Sequence, residues 1–331
     1  MRELLVLLKQ GNKSALIAAV VNAIIFIVKG VAFFFTGNVA MFAEMLHSLG
    51  DAANQFFVFV GSALSKKAPT RRFPNGFGRL VNLVLIFAVA VVSIMAWEAI
   101  KEGWHHIFHP TESKGFIINI AVLGIGVVLE SFVLYKAMKE VLHETGSHAK
   151  GFLAIPASFA SLKRAKPATK LVFMEDLVAT SGGLLAMLAI VISHTTPFHQ
   201  AEGIASMIIG VLMFAVVVKV FFDNAAGVIG EADTEMEQQI GEKIMQHPKV
   251  DDIQKISVVK EGEALHVNVE VEVKPNMPFK DVDDIRDELE QEIKKDTNIK
   301  EVTVSFDETD KHAHWEELQQ ELQANEKENE K

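Results

Sequence analysis

The sequence predicts an all-α membrane domain of six transmembrane helices, followed by a cytoplasmic α+β domain in the order αββαβ. Three observations carry this. Half of the 331 residues are hydrophobic, too many for an ordinary soluble chain of this length. The apolar residues gather into six long runs before Gly230. At Glu231 the composition turns abruptly polar, and short alternating stretches replace the long runs.

The six runs lie at about 14–35, 39–65, 80–101, 116–138, 170–193 and 202–227. Each reaches the roughly 20 residues that a helix needs to cross a bilayer. Thr36-Gly37-Asn38 leaves room only for a tight hairpin between the first two, and a short link from His194 to Gln200 joins the last two. Arg2, Lys9 and Lys13 precede the first run. Lys66, Lys67, Arg71, Arg72 and Arg79 follow the second, and Lys150, Lys163, Arg164, Lys166 and Lys170 follow the fourth. The alternate loops are poor in basic residues, which places both termini in the cytoplasm. Short loops and the lack of a basic amphipathic leader point to a bacterial cell membrane, with the lipid bilayer as the partner of the apolar runs.

Past Glu231, Thr234 to Gln246 reads as a helix, with Thr234 as cap and Glu237 completing a capping box. Ile253 to Val259 and His266 to Val273 alternate as strands. Asp281 to Lys295 has helical spacing through Val282, Ile285, Leu289 and Ile293, and Val302 to Phe306 reads as a third strand. The domains are therefore drawn at 1–230, 231–310 and 311–331, the last a charged tail expected to be disordered or a frayed helix.

Cysteine is absent, so any metal must be held by nitrogen and oxygen. The net charge of −10, concentrated after residue 230, excludes a nucleic-acid module. No phosphate loop or nucleophile motif is present, so the chain is not read as an enzyme and no resident cofactor is expected; Gly182-Gly183 reads as a helix-packing feature.

The most informative residues are His47 and Asp51, four apart inside the second apolar run and so on one helical face. Glu175-Asp176 lies early in the fifth run. Ionisable side chains at membrane depth mark ion or proton paths, or pair helices together. One imidazole and two or three carboxylates suit a divalent cation. With so many oxygens, manganese and iron(II) stand beside zinc. Neighbouring residues on a helix diverge by about 100°, so Glu175 and Asp176 cannot both point along one axis toward the metal. Asp176 is read as the ligand and Glu175 as a second ligand or a group orienting it, with Thr180 offering a weak oxygen. Asn22, Lys29 and Glu130 are structural or proton-path candidates, Glu130 pairing with Lys29 in the structural version. His105, His106 and His109 are read as part of an interfacial turn with Trp104 and Phe108, and His312 and His314 as adventitious binders in the tail.

Ala43-Glu44-Met45-Leu46-His47-Ser48-Leu49-Gly50-Asp51 and Phe73-Pro74-Asn75-Gly76-Phe77-Gly78-Arg79 resemble two marks of the cation diffusion facilitator family. Phe73 and Phe77 stand where many members have histidines. The fifth run has Glu175-Asp176 where most members repeat His-x-x-x-Asp, as in the branch that includes the mitochondrial zinc exporter. Two registers are open. If Glu175 takes the histidine's place, Ala179 stands where the second aspartate would; if Asp176 takes the aspartate's, Val172 stands where the histidine would. The resemblance implies a ferredoxin-like cytoplasmic domain, a homodimer and export of zinc or a related divalent ion against protons. An imidazole with its ordinary pKa of about 6.5 loses its proton on binding metal, which supplies the coupling. A non-transporting membrane metal sensor or scaffold is the reading from another class. The family's last-strand His-x-Asp pattern is reduced here to Asp307.

Overall fold

A computed structural model describes residues 6–329 except 113, 147, 148, 150, 163–166, 263, 296–298 and 311. The chain divides into two compact units, Met1–Ala63 with Val84–Asp223, and Leu64–Leu83 with Asn224–Lys331.

The first unit is helical. Its elements are α1 (Lys13–Thr36), α2 (Val39–Ser65), α3 (Leu80–Phe108), α4 (Phe116–Glu144), the short α5 (Ala154–Ser161), α6 (Pro167–Thr195) and α7 (Gln200–Ile229), with the ends of α2, α3 and α7 passing into the second unit. Asn12 starts α1 by accepting the Ala15 N–H at 3.1 Å, and Asn38 starts α2 by accepting the Met41 N–H at 2.8 Å. Among the described residues five stretches are long and apolar enough to cross a bilayer: Lys13–Thr36, Leu80–Phe108, Phe116–His143, Val172–Thr195 and Gln200–Ile229. Six were expected. The expected span 39–65 is a helix of 27 residues, but Glu44, His47, Asp51 and Asn54 keep it out of that set.

Large apolar side chains such as Ile17, Phe34, Phe87, Ile117 and Phe222 point outward, as lipid-facing residues would. The interior is built instead from small ones: Ala32, Ala40, Ala43, Ala96, Ala99, Ala186, Ala189, Ala201 and Ala205, filled in by Met41, Leu123, Ile190 and Ile209. α3 and α7 approach each other closely. A Cβ added to Gly103 would meet the Gly203 carbonyl at 2.6 Å, and one added to Gly203 would meet the Gly103 carbonyl at 2.7 Å.

The second unit holds a three-stranded sheet in the order β1-β2-β3, formed by β1 (Asp252–Glu261), β2 (Ala264–Val273) and β3 (Ile299–Glu308). β1 and β2 pair antiparallel, with Val258 opposite Val267. β2 and β3 pair parallel, with Val267 opposite Val302, and α9 (Phe279–Ile293) makes the crossover. α8 (Thr234–Met245) and α9 lay Ile240, Ile244, Ile285, Leu289 and Ile293 on the sheet's Val258, Val267, Val269, Val271 and Val304. Each such side chain contributes about 1.5–3 kcal/mol when fully buried.

Two details correct the sequence reading. The cap of α8 is Asp233, which accepts the Met236 N–H at 3.1 Å. Glu237 forms no capping box; its carboxylate accepts the Val258 N–H of β1 at 2.9 Å and so ties helix to sheet. The tail is also not simply frayed. His314–Asn329 forms α10, and Trp315 enters the core, where a Cβ on Gly241 of α8 would meet the indole at 2.0 Å.

The second unit takes in residues 64–83 as well as the chain from Asn224, whereas the compositional break lies at Glu231. Within it Arg79 reaches Glu261 at 3.3 Å and the Ile229 carbonyl at 3.3 Å. Phe73 and Phe77 pack ring to ring at 5.1 Å, an apolar contact at the two positions where the resemblance implied histidines.

Candidate metal centre

On α2, His47, Gly50, Asp51 and Asn54 follow the spacing that puts side chains on one face. They form one wall of a narrow cleft. Val89 and Val92 of α3, Glu175 and Val178 of α6, and Met213, Val216, Val217 and Val220 of α7 complete it. His47 Nε2 stands 3.6 Å from Asp51 Oδ2, too far for a hydrogen bond, and is buried without a hydrogen-bond partner. Asp51 is less enclosed, with 42% of its side chain exposed. Gly50 keeps the cleft open, since a Cβ there would meet Val92 at 3.2 Å. One imidazole, two carboxylates and an amide thus face a space whose other walls are apolar. An orphaned nitrogen beside carboxylates in such surroundings is fit to hold a cation.

Of the fifth run's acidic pair, Glu175 lines the cleft and Asp176 is not among its lining residues. Asp176 Oδ2 is nonetheless buried without a hydrogen-bond partner, as is Thr180 Oγ1 one turn later. Both carboxylates lie within electrostatic reach of Asp51, and Asp176 also of Glu130. The divergence of neighbouring residues on a helix is what separates them. Ala179 and Val172 do not line the cleft.

A second constellation adjoins the first through α2. Lys29 of α1, only 1% exposed, bonds Glu44 Oε2 of α2 at 2.8 Å and Glu130 Oε1 of α4 at 3.3 Å. Glu44 is fully buried, three residues before His47. Glu44 Oε1 and Glu130 Oε2 have no hydrogen-bond partner. Gly182 and Gly183 of α6 make room for these oxygens: added Cβ atoms would lie 2.8 Å from Glu44 Oε1 and 3.3 Å from Glu130 Oε2. The glycine pair therefore accommodates carboxylates as well as a neighbouring helix, where Val127 of α4 would meet the Gly183 Cβ at 2.7 Å. Asn22 is half-buried on α1 and takes no part in the cleft or the triad.

Glu44 and Asn54 are the residues of these two constellations that the sequence motif does not single out. Both carried a signal: one lies three residues before His47, the other three after Asp51, each on the same helical face. The histidines at the end of α3 are otherwise engaged. His105 stacks on His109 at 4.8 Å, His106 contacts the His199 carbonyl at 3.3 Å, and Trp104 packs on Phe108 at 4.8 Å. In the second unit His247 meets Glu288 at 2.9 Å, and His266 sits between Glu261 at 3.0 Å and Glu301 at 3.2 Å.

Residues 15–227 match the model of the cation efflux transmembrane domain, and residues 232–309 match that of the cation efflux protein cytoplasmic domain. The chain is 26% identical over 259 residues to the mitochondrial proton-coupled zinc antiporter SLC30A9 of Xenopus laevis, covering 77% of this chain and 45% of that protein. It is 24% identical over 288 residues to a probable cation efflux system protein of Mycobacterium tuberculosis, covering 86% and 79% respectively. It is 24% identical over 207 residues to the zinc transporter ZitB of Yersinia pseudotuberculosis, covering 61% and 58%. The chain spans less than half the length of the SLC30A9 antiporters it matches. Two matches that together run from residue 15 to 309 show that the chain belongs to the cation efflux family, a family of membrane cation transporters and not of enzymes.

Proposed function

We propose that this chain exports divalent cations, zinc before manganese or iron(II), in exchange for protons. The observation that carries the proposal is the convergence of His47, Asp51 and Glu175 on one cleft walled by valines and Met213. These three are the proposed ligands, with Asn54 as a neutral oxygen beside them. Asp176, behind Glu175, is assigned to proton exchange or to orienting the site, the reverse of the weighting drawn from sequence. Protonation of His47 and the carboxylates competes with metal, so each cation released outward is replaced by one or more protons. Lys29, Glu44 and Glu130 would hold α1, α2 and α4 together by charge and give the protons a polar route beside the cleft. The names of the relatives, a proton-coupled zinc antiporter and a zinc transporter, support zinc as cargo.

The same reading takes α2 as the sixth span. At about 1.5 Å per residue its 27 residues exceed the roughly 30 Å hydrocarbon core. Its polar residues face the cleft and the triad, where charge inside a membrane is tolerated. The basic loops put both termini in the cytoplasm of a cell membrane. Residues 1–230 form the transport domain. Residues 231–310 form a ferredoxin-like module that pairs two copies, and 311–331 a tail appended to it.

The test is flux. Proteoliposomes carrying the full chain, loaded with a zinc indicator and given a pH gradient, should take up zinc faster when protons can leave in exchange. Flux insensitive to the gradient would remove the antiport, and flux surviving His47→Ala with Asp51→Ala would remove the site. Saturable zinc binding without any flux would instead favour a membrane sensor.

A further inference from the structure

A second group of metal-ligating side chains lies wholly inside the sheet unit. Asp252 opens β1 and Glu272 stands near the end of β2, and the two are register partners, so their side chains leave the same face of the sheet side by side. Both are buried, Asp252 at 7% and Glu272 at 1% exposure. Among the described residues no lysine or arginine forms an ion pair with either. Two adjacent carboxylates withdrawn from water without a cation repel each other and lose their hydration.

The group that meets them comes from the tail. His314, the first residue of α10, holds Nδ1 3.2 Å from Glu272 Oε1 and 3.6 Å from Asp252 Oδ2. Despite this closeness Nδ1 has no hydrogen-bond partner, nor has Glu272 Oε2. The three ligand atoms lie within 4.8 Å of one another. Bonds of about 2.0–2.2 Å at tetrahedral angles set ligand atoms roughly 3.4 Å apart, the scale of the two separations given. The other ring nitrogen, Nε2, lies 3.9 Å from Asp310 Oδ2, a carboxylate placed to orient the imidazole. Asp252 also accepts the N–H groups of His314 at 2.7 Å and Trp315 at 3.2 Å, so it caps α10 from a distant part of the chain.

We propose that Asp252, Glu272 and His314 form a binding site for a first-row divalent cation that fastens α10 and its Trp315 onto the sheet. The cation balances the two buried carboxylates and takes up the unpartnered nitrogen. The site does not use Asp307, the residue that remains of the family's last-strand pattern, and it shares no residue with the transport cleft. It also revises the sequence reading of His314 as an adventitious binder. Cation-free chain would hold α10 by Trp315, Leu318 and the Asp252 cap, and the cation would tighten that seating.

The rival explanation is a protonated His314 compensating the carboxylates with no metal at all. Co2+ titration of the full chain in detergent separates the two. The background carries His47→Ala and Asp51→Ala, which remove two of the three proposed transport ligands, and Trp97→Phe and Trp104→Phe, which leave Trp315 as the only indole. Co2+ should quench Trp315 saturably at about one ion per chain, and Zn2+ should reverse the quenching. Glu272→Gln and His314→Ala should each weaken this at least about tenfold. No saturable quenching in the background chain overturns the site. Quenching kept within about threefold in both variants overturns it too. Because two of the three proposed transport ligands are absent throughout and the two sites share no residue, failure here leaves the proposed export untouched, and failure of export leaves this result standing.

Discussion

Glu44 and Glu237 are both buried glutamates on helices, one in each unit, and their surroundings differ. Glu237 spends its carboxylate on the Val258 N–H of the neighbouring strand, a neutral partner fixed by the sheet. Glu44 is held by the charged Lys29, shared with Glu130, and keeps one oxygen without a partner. A carboxylate bonded to a backbone donor anchors structure. One shared among charged side chains, with an oxygen to spare, is a group that can exchange a proton or change partners. The helical unit keeps its polar atoms unsatisfied near His47, while the sheet unit ties Glu237 into its frame.

The largest expected effect breaks that contrast at the cleft. His47→Ala with Asp51→Ala removes two proposed ligands and should lower zinc affinity by more than about 100-fold, beyond what loss of an orienting group produces. Isothermal titration of the full chain measures it, and the heat-induced unfolding of the sheet unit should stay where it was. Next comes Lys29→Met, which leaves Glu44 buried without its cation. Removing one partner of a buried pair costs about 3–5 kcal/mol. Adding Glu44→Gln should recover much of the loss, and thermal unfolding in detergent of the single and double variants gives the difference. No recovery would mean that Lys29 acts through packing.

A finer test concerns the fifth run. Glu175→Gln should weaken zinc binding more than Asp176→Asn, since Glu175 lines the cleft; for Asp176→Asn a loss of about 10-fold fits a group outside the ligand set. Ala179→Asp should tighten binding if Glu175 takes the place of the family's histidine. The opposite order of the two losses, with no gain from Ala179→Asp, would return the ligand role to Asp176. The smallest effect lies in the sheet unit. Burial pushes the Glu237 carboxyl above its ordinary value, the Val258 N–H pulls it partly back, and Asp233 pushes it up again. The folded form therefore holds this proton more tightly. Its contribution is complete below the unfolded value of about 4.3 and is lost as pH rises through the raised value. Glu237→Gln should flatten that dependence in unfolding followed from about pH 4 to pH 7, while its amide oxygen still accepts from Val258.

The sequence made the apolar runs and the His47–Asp51 spacing legible because both are periodic, and period is what a helix imposes on a chain. The strands were legible for the same reason, although β1 and β3 each extend past the stretches expected at 253–259 and 302–306. What stayed hidden depends on partners far along the chain. Glu44 meets Lys29 fifteen residues away and shares it with Glu130, 101 residues from that lysine. The cap of α10 is Asp252, 62 residues before His314. Composition made the tail look loose because it averages over a window. A single Trp315 seated over Gly241 decides the matter against that average. The choice between Glu175 and Asp176 was equally beyond reach, since only the rotation of α6 about its axis decides which one meets the cleft.

The contact between Gly103 and Gly203 has a mechanical consequence. Side chains between two helices act as bearings: they can change rotamer and let one rod roll past the other. Here the backbones themselves are in contact, and an added methyl would collide with a carbonyl on either side. Such a seam resists rolling and shear alike. α3 and α7 are therefore expected to move together where they cross, which leaves α2 and α6, the helices that carry the polar groups, as the pieces that would open and close the cleft.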